Sequence, residues 1–150
     1  MLKNFIREAT HEDLPQLVQN NMDLARETEN LSLDTSILSA GISQALDRNE
    51  CHYFVSVTEE KVVGQLMITY EWSDWRNGII WWLQSVFVLP EFRRQGIFKS
   101  LFFYIEKLAY DHPKVKMLRL YVLNENIQGQ KTYGCLGMND SSYIVFEKEP

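Results

Sequence analysis

The chain of 150 residues has little cysteine, proline or glycine, with two, four and seven residues of each. Its two cysteines, Cys51 and Cys135, lack Cys-x-x-Cys or Cys/His spacing, which argues against a zinc site and a disulfide-stapled fold. Because free thiols are typical of a reducing compartment, we expect a cytoplasmic protein that needs no metal. With 45% apolar and 23% charged residues, the composition also excludes a disordered tail and a collagen-like fibre.

Long hydrophobic runs and an excess of positive charge are missing too. The most apolar stretch, residues 79–90, is far shorter than the ~20 residues of a membrane-spanning helix, and residues 1–8 lack the apolar core of a signal peptide. The chain has 20 acidic and 15 basic side chains, a net charge of −5. Because nucleic-acid binders carry basic patches, we expect partners that are neither nucleic acids nor membranes.

Aromatic residues, in contrast, are plentiful and clustered. Phe, Tyr and Trp make up 13% of the chain, and all four tryptophans (Trp72, Trp75, Trp81 and Trp82) fall within eleven residues. Such a cluster is either a buried wall or a binding surface. In an alternating strand, Trp81 and Trp82 would lie on opposite faces of the sheet.

Hydrophobic periodicity predicts one domain, residues 1–150, with elements in the order β-α-α-β-β-β-α-β-α-β. Thr10 and Asp34 are expected to begin the first two helices, with a polar break at residues 27–30. Residues 58–61 read as a hairpin turn, and residues 71–78 as a polar loop. The predicted fold is a mixed α/β class with a mostly antiparallel central sheet flanked by helices. Its strands are expected at residues 2–8, 52–57, 62–70, 79–89, 117–123 and 142–146, and its last two helices at residues 96–110 and 126–137.

Residues 85–99 run from a buried strand through a tight turn directly into a helix. Main-chain N–H groups at such a turn favour a phosphate, because they point one way and the helix dipole adds roughly half a positive charge. Gly96 would let the ligand approach the backbone, and Arg93, Arg94 and Lys99 add positive charge. The alternative is a plain strand-loop-helix crossover with solvated arginines. Neither a Walker A loop nor a G-x-G-x-x-G dinucleotide motif fits the glycine spacing.

The same segment resembles the GCN5-related N-acetyltransferases. The run Arg93-Arg94-Gln95-Gly96-Ile97-Phe98 looks like the family's [QR]-x-x-G-x-[GA] loop, which binds the acetyl-CoA pyrophosphate. Residues 126–133 (N-I-Q-G-Q-K-T-Y) resemble the second signature, N-x-x-A-x-x-x-Y, and are followed by L-G-M where the family has L-G-F. The resemblance covers residues 2–147 and implies the acyl-CoA N-acyltransferase fold.

Two residues depart from the family pattern. Phe98 replaces a small residue, and its ring either reshapes the floor under the pyrophosphate or turns into the core. Gly129 replaces an alanine, at a cost of ~1 kcal/mol in a helix, and would leave room for the cofactor. Neither change removes a backbone donor.

The resemblance implies direct transfer of an acetyl group from acetyl-CoA to an amine. Main-chain groups of the turn would hold the pyrophosphate, and the preceding strand would pair with the pantetheine arm, leaving one N–H near Phe87 to polarise the thioester carbonyl. Tyr133 would be the general acid for the leaving thiolate; otherwise it is a core tyrosine. The implied cofactor-binding residues are Val86, Phe87, Val88, Arg93, Arg94, Gln95, Gly96, Ile97, Phe98, Lys99 and Asn126.

A general base is harder to assign. Where some family members carry a catalytic glutamate, this chain has Trp82, which cannot accept a proton. Glu71 and Asp74, in the loop before that strand, are the main candidates, with Glu27 and Glu29 between the first two helices. Each is otherwise a solvated carboxylate, and a water chain is a further alternative. Because an aromatic rim suits an amine, the candidate acceptor contacts are Glu29, Trp72, Trp75 and Trp82.

The function that we expect is therefore acetyl-CoA-dependent N-acetylation of a primary amine on a small molecule or peptide. Two alternatives stay open: a non-catalytic CoA-binding sensor or interaction module of the same fold, and a transferase that uses a longer acyl-CoA. A homodimer is common in the family that the sequence resembles. Nothing in the sequence names the acceptor amine.

Overall fold

A computed structural model describes residues 3–150, which form two compact units that divide between Leu120 and Tyr121. The five strands of the first unit are β1 (Asn4–Glu8), β2 (Cys51–Thr58), β3 (Lys61–Ser73), β4 (Gly78–Val88) and β5 (Val115–Arg119). Its helices are α1 (Leu14–Glu29), α2 (Thr35–Asp47) and α3 (Ile97–Asp111), and α4 (Ile127–Cys135) lies in the second unit. None of these helices is long and apolar enough to span a membrane. The predicted first strand starts at Leu2, which lies outside the described residues.

The strands form a single sheet in the order β1-β2-β3-β4-β5. Neighbours from β1 to β4 are antiparallel, and β5 pairs parallel to β4. A parallel pair needs a crossover connection, which α3 supplies between β4 and β5. The predicted mixed, mostly antiparallel sheet is confirmed.

Helices cover both faces of the sheet. Leu17 of α1 and Ile42 of α2 are buried against Tyr53 and Val55 of β2. On the opposite face, the ring of Phe54 contacts that of Tyr104 in α3, with ring centroids 5.9 Å apart. Because successive strand residues point to opposite faces, β2 contributes to two apolar layers at once.

Local capping matches the sequence patterns. The Asp34 carboxylate accepts hydrogen bonds from the N–H groups of Ser36 and Ile37, at 2.9 and 3.0 Å, and so begins α2. Helix α1 continues through the predicted polar break and ends at Asn30, whose φ of 52° is left-handed. The tight turn between β2 and β3 places Glu59 and Glu60 at positive φ.

The predicted loop at residues 71–78 is wrong at its start. Strand β3 continues through Ser73, because Glu71 pairs with Ile80 and Trp72 pairs with Ile79. The hairpin turn is therefore confined to residues 74–77. Glu71 and Trp72 consequently lie on the sheet rather than in a loop.

The predicted strand at residues 142–146 is also wrong. Residues 120–150 contain no strand, and the side chains of residues 142–146 are exposed. A β-rich run forms a strand only when a neighbour accepts its main-chain hydrogen bonds. Strand β5 also ends early, at Arg119, which pairs with Trp82.

Candidate functional site

Strand β4 carries a bulge in the middle of the first unit. Gln65 pairs with Phe87 and Met67 with Gln84, so two steps along β3 correspond to three along β4. The extra residue lies at Ser85–Val86, and Ser85 has a φ of 51°. The Ser85 carbonyl accepts a hydrogen bond from the buried Gln65 side chain, at 3.0 Å. A bulge re-aims the groups around it, which is why bulges are frequent beside active sites.

The edge of β4 beyond the bulge is open on the β5 side. The pairing of β5 with β4 begins at Ile79 and stops at Trp82. Within residues 3–150 no strand pairs with the rest of β4 on that side. An open edge of this kind can add an extended ligand by main-chain hydrogen bonds. Val86, Phe87 and Val88 lie on this edge.

Directly after β4, a short turn leads into α3. The turn begins with a 3₁₀ segment, Pro90–Phe92, and both Arg94 (φ 61°) and Gly96 (φ 80°) are left-handed. Helix α3 begins at Ile97, and the first N–H groups of a helix have no intrahelical acceptor. A Cβ placed on Gly96 would meet no atom within 4 Å, so the approach to the main chain is open. Main-chain N–H groups at the start of a helix, next to a glycine without a side chain, favour an anion.

Two basic side chains of the turn have other partners. The Arg93 guanidinium donates to a Glu27 carboxylate oxygen of α1 at 2.8 Å and to the Val88 carbonyl at 2.9 Å. It also lies over the Phe87 ring, 5.4 Å from the centroid. The Lys99 ammonium lies 5.7 Å from the centroid of Phe103. Arg93 therefore ties the turn to α1, and its guanidinium is already engaged by two acceptors.

The Phe98 side chain has a ring partner within α3. Its half-buried ring packs against the buried Phe102, with centroids 6.2 Å apart. The ring thus packs along α3, one turn before Phe102. The Gln95 side chain is similarly engaged, since its amide donates to the Glu91 carbonyl at 3.0 Å.

Among the candidate bases, Glu71 has the most specific surroundings. One carboxylate oxygen accepts from the indole N–H of Trp82 at 3.2 Å, and the other accepts from Arg119 at 3.4 Å. The Arg119 guanidinium also lies 5.6 Å from the Trp82 ring. Glu71 therefore lies beside Trp82, the residue that stands where the resemblance implied a glutamate in some family members.

The other candidate carboxylates are less constrained. Asp74 lies in the hairpin turn, where its carboxylate accepts from the Trp75 N–H at 2.9 Å. Glu29 is the exposed last residue of α1. Within residues 3–150 no group of three or more His, Cys, Asp or Glu side chains could hold a metal ion.

Of the four tryptophans, Trp81 and Trp82 lie on β4, Trp72 lies near the end of β3 and Trp75 lies in the hairpin turn. Trp81 is buried beside Tyr70 and His112, with ring centroids 6.0 and 6.1 Å away. Trp82 lies on the other face with Glu71. Trp72 and Trp75 are 60% and 88% exposed, so they are not part of the core.

The second unit contains the remaining candidates. The Asn126 side chain caps α4 by accepting from the Gly129 N–H at 2.9 Å, and it fills the space that a Cβ on Gly129 would need. A side chain at position 129 would therefore have to displace this cap. Tyr133 lies in α4, where burial raises the pKa of its phenol. The helix ends at Cys135, and Gly137, two residues later, has a φ of 88°.

Sequence reasoning missed Gln65, Tyr53 and Arg119. Gln65 is fully buried, and its second amide atom, Oε1, has no hydrogen-bond partner among the described residues. Tyr53 is buried too; burial raises the pKa of its phenol, against hydrogen bonds with Ser85 and Asn21 that lower it. The available signal was a glutamine within the apolar run V-V-G-Q-L-M of β3.

Solved structures share this fold. A protein from Clostridium difficile 630, described as a possible acetyltransferase, is 42% identical with a TM-score of 0.92, and the alignment covers 100% of this chain and 99% of that one. The aminoglycoside N-acetyltransferase AAC(6')-Iy, solved in complex with CoA, has a TM-score of 0.80 at 16% identity, over 99% of this chain and 96% of that one. At that identity the likeness concerns the fold alone.

Comparison of the amino-acid sequence with known proteins also finds acetyltransferases. A segment of 79 residues is 33% identical to the thialysine N-ε-acetyltransferase of Bos taurus. The match spans 53% of this chain and less than half, 45%, of the bovine protein. The model of the acetyltransferase (GNAT) family matches residues 12–138, which include the bulged strand, the turn and α4. The chain belongs to the acetyltransferase (GNAT) family.

Proposed function

We propose that the protein is an N-acetyltransferase that moves an acetyl group from acetyl-CoA to a primary amine of a small molecule or peptide. The observation that carries the proposal is the open edge of β4 leading directly into the Gly96 turn, which can seat a pantetheine arm and a pyrophosphate in succession. The proposal treats residues 1–150 as one N-acetyltransferase domain. The family match supports it, because residues 12–138 span both units.

In the proposed reaction, the neutral amine nitrogen attacks the thioester carbonyl carbon. The C–N bond forms, the C–S bond breaks, and the CoA sulfur leaves as a thiolate that takes a proton from the Tyr133 phenol. Main-chain N–H groups of residues 94–99 hold the pyrophosphate, and Asn126 lies along the pantetheine arm. A main-chain N–H beside the Ser85 bulge polarises the carbonyl.

We propose Glu71 as the group that takes the proton from the attacking amine, directly or through water. Of Glu71 and Asp74, only Glu71 is held on the sheet, by Trp82 and Arg119. Glu71→Gln is expected to lower kcat by about 100-fold, in the range of general-base catalysis. Asp74→Asn should lower it much less. Steady-state kinetics of both variants check this, and equal losses would remove Glu71 from the role.

The experiment that tests the function is thiol release from acetyl-CoA in the presence of a panel of primary amines. Turnover with at least one amine, saturable in both substrates, is the expected result. CoA binding without turnover on any amine would instead favour a non-catalytic binding module. Faster turnover with a longer acyl-CoA would favour the other alternative, a transferase of the same fold whose donor carries a longer acyl chain than acetyl.

We further propose a cytoplasmic homodimer. The two cysteines are free thiols, one of them exposed, which suits a reducing compartment. Residues 143–146 (Y-I-V-F) expose four consecutive large apolar side chains, each between 60% and 89%. Exposed apolar patches of this kind mark interaction surfaces, and a second copy of the chain supplies a matching one.

A further inference from the structure

An apolar groove lies in the first unit between α2 and strands β2 and β3. Its volume is about 550 Å³, within the usual range for small-molecule sites. Ile37, Leu38 and Ile42 of α2 form one wall, and Met67 of β3 lies opposite. Ile37 is 73% exposed, so the groove opens to solvent.

The inner wall of the groove reaches the bulge of β4. Tyr53 and Thr69 both line the groove. The Tyr53 hydroxyl hydrogen-bonds with Ser85, the bulged residue, and Thr69 accepts a hydrogen bond from the side chain of Gln84. Two of the strand residues that line the groove are therefore hydrogen-bonded to Ser85 of the bulge and to Gln84, the residue before it.

The charges around the groove do not favour a ligand with several cations. Glu50 borders the groove and pairs with Arg48 at 2.9 Å. On the same face of the sheet, Glu71 pairs with Arg119 at 3.4 Å. An arginine thus already neutralises each of these two carboxylates, although the chain as a whole is acidic.

On the basis of the proposed function, we propose that this groove holds the apolar body of the acceptor. The acceptor is then a primary monoamine with an aliphatic or aryl-alkyl chain, rather than a polyamine or an aminoglycoside. The hydrocarbon chain of the acceptor lies along α2, and its amine points toward the bulge, where the acetyl group is transferred. This assignment gives the groove a substrate class that the family membership leaves open.

Gly41 provides a sharp test. It lines the groove on α2, and a Cβ there would meet no atom within 4 Å, so a side chain at position 41 can start without a clash and Gly41→Leu narrows the groove. Removing glycine from a helix also favours folding. Ala40→Leu, on the exposed neighbouring position outside the groove lining, is the matched control.

The measurement is kcat/KM by thiol release for butylamine, hexylamine, octylamine, phenethylamine, spermidine and sisomicin. We expect the wild-type value to rise with alkyl length by up to about fourfold per methylene buried. Gly41→Leu should lower kcat/KM for octylamine by about tenfold or more and for butylamine by less than about threefold. Ala40→Leu should leave the whole profile unchanged.

The possible results distinguish a failure of the groove assignment from a failure of the proposed transferase function. Higher kcat/KM for spermidine or sisomicin than for octylamine, or a chain-length profile that Gly41→Leu leaves unchanged, would overturn the groove assignment while the transferase stands. If no amine is turned over, the proposed function fails, and calorimetric titration with octylamine decides about the groove. Binding that Gly41→Leu weakens and Ala40→Leu does not would keep it as an apolar-amine site; absence of binding would overturn it.

Discussion

Gly96 is the residue at which the proposed pyrophosphate seat can be tested most directly. Its φ of 80° and the empty space above its Cα suit glycine in two separate ways. Gly96→Glu should weaken acetyl-CoA binding by at least about tenfold, because it places a negative charge within a few ångströms of the phosphates. Isothermal titration calorimetry with acetyl-CoA measures the loss.

The control for Gly96→Glu must separate charge from backbone strain. Asparagine adopts left-handed φ more readily than most residues and is neutral, so Gly96→Asn tests the strain alone. We expect Gly96→Asn to bind acetyl-CoA much more tightly than Gly96→Glu. Equal affinity of the two folded variants for acetyl-CoA would show that the anion lies elsewhere.

Tyr133 is tested by the pH dependence of the rate. Burial raises the pKa of its phenol, so the protonated form that donates to the thiolate persists to higher pH than it would for an ordinary tyrosine at ~10. We therefore expect no fall in kcat from Tyr133 deprotonation between pH 7 and roughly 10.

Tyr133→Phe should lower kcat by about 100-fold while the affinity for acetyl-CoA changes little, because the ring remains and only the proton is lost. Rates and cofactor binding measured on the same preparation separate the two effects. An unchanged kcat would remove Tyr133 as the acid.

At the scale of the element, one buried side chain holds the main chain of the β4 bulge by a hydrogen bond. Gln65 donates to the Ser85 carbonyl, while its Oε1 is buried without a partner among residues 3–150. Gln65→Met keeps the volume, loses the donor and removes the unpartnered oxygen, so the free energy of unfolding should change by no more than about 1 kcal/mol. We expect kcat to fall because the bulge is no longer held.

The matched control for the bulge is Leu66→Met, a similar change at the next, equally buried residue. Thermal unfolding and steady-state kinetics of both variants check the prediction. A Gln65→Met enzyme with normal kcat would mean that the bulge forms without this hydrogen bond. A large fall in the free energy of unfolding would mean that the hydrogen bond from Gln65 to Ser85 mainly stabilises the fold.

The elements also show which parts of the structure a sequence can predict. The strand-turn-helix at residues 85–99 was predictable because its signals, Pro90 and Gly96 among them, act on neighbouring residues. The bulge was not, since it exists only in the register between β3 and β4. The pairs Arg93–Glu27 and Arg119–Glu71 join residues 66 and 48 positions apart, and no local pattern indicates them.

At the scale of the whole molecule, residues 142–146 are a case in which the sequence predicted an element that the structure lacks. Their composition favours a strand, yet a strand requires a partner, which the composition cannot supply. The same exposed side chains lead to the prediction of a homodimer. Light scattering coupled to size exclusion should give twice the mass of one chain.

Val145→Asp should shift the protein toward the monomer, because it places a charge in the apolar segment. Tyr110→Asp is the control, since Tyr110 is 89% exposed but lies in α3. A dimer that survives Val145→Asp would place the interface elsewhere. A wild-type monomer at all concentrations would refute the dimer itself.

The proposed binding of the pyrophosphate by main-chain groups after β4 affects which side chains of the turn can be replaced during evolution. If peptide N–H groups hold the pyrophosphate, then side chains at positions such as 94, 95 and 98 can be exchanged without deleting a donor. The backbone shape limits replacement most at Gly96, with its φ of 80°, and also restricts position 94, with its φ of 61°. Phe98 in place of a small residue is one such exchange, absorbed by the contact with Phe102. A descendant of this chain could therefore change its acceptor preference through α2 and β3 while the cofactor seat stays the same.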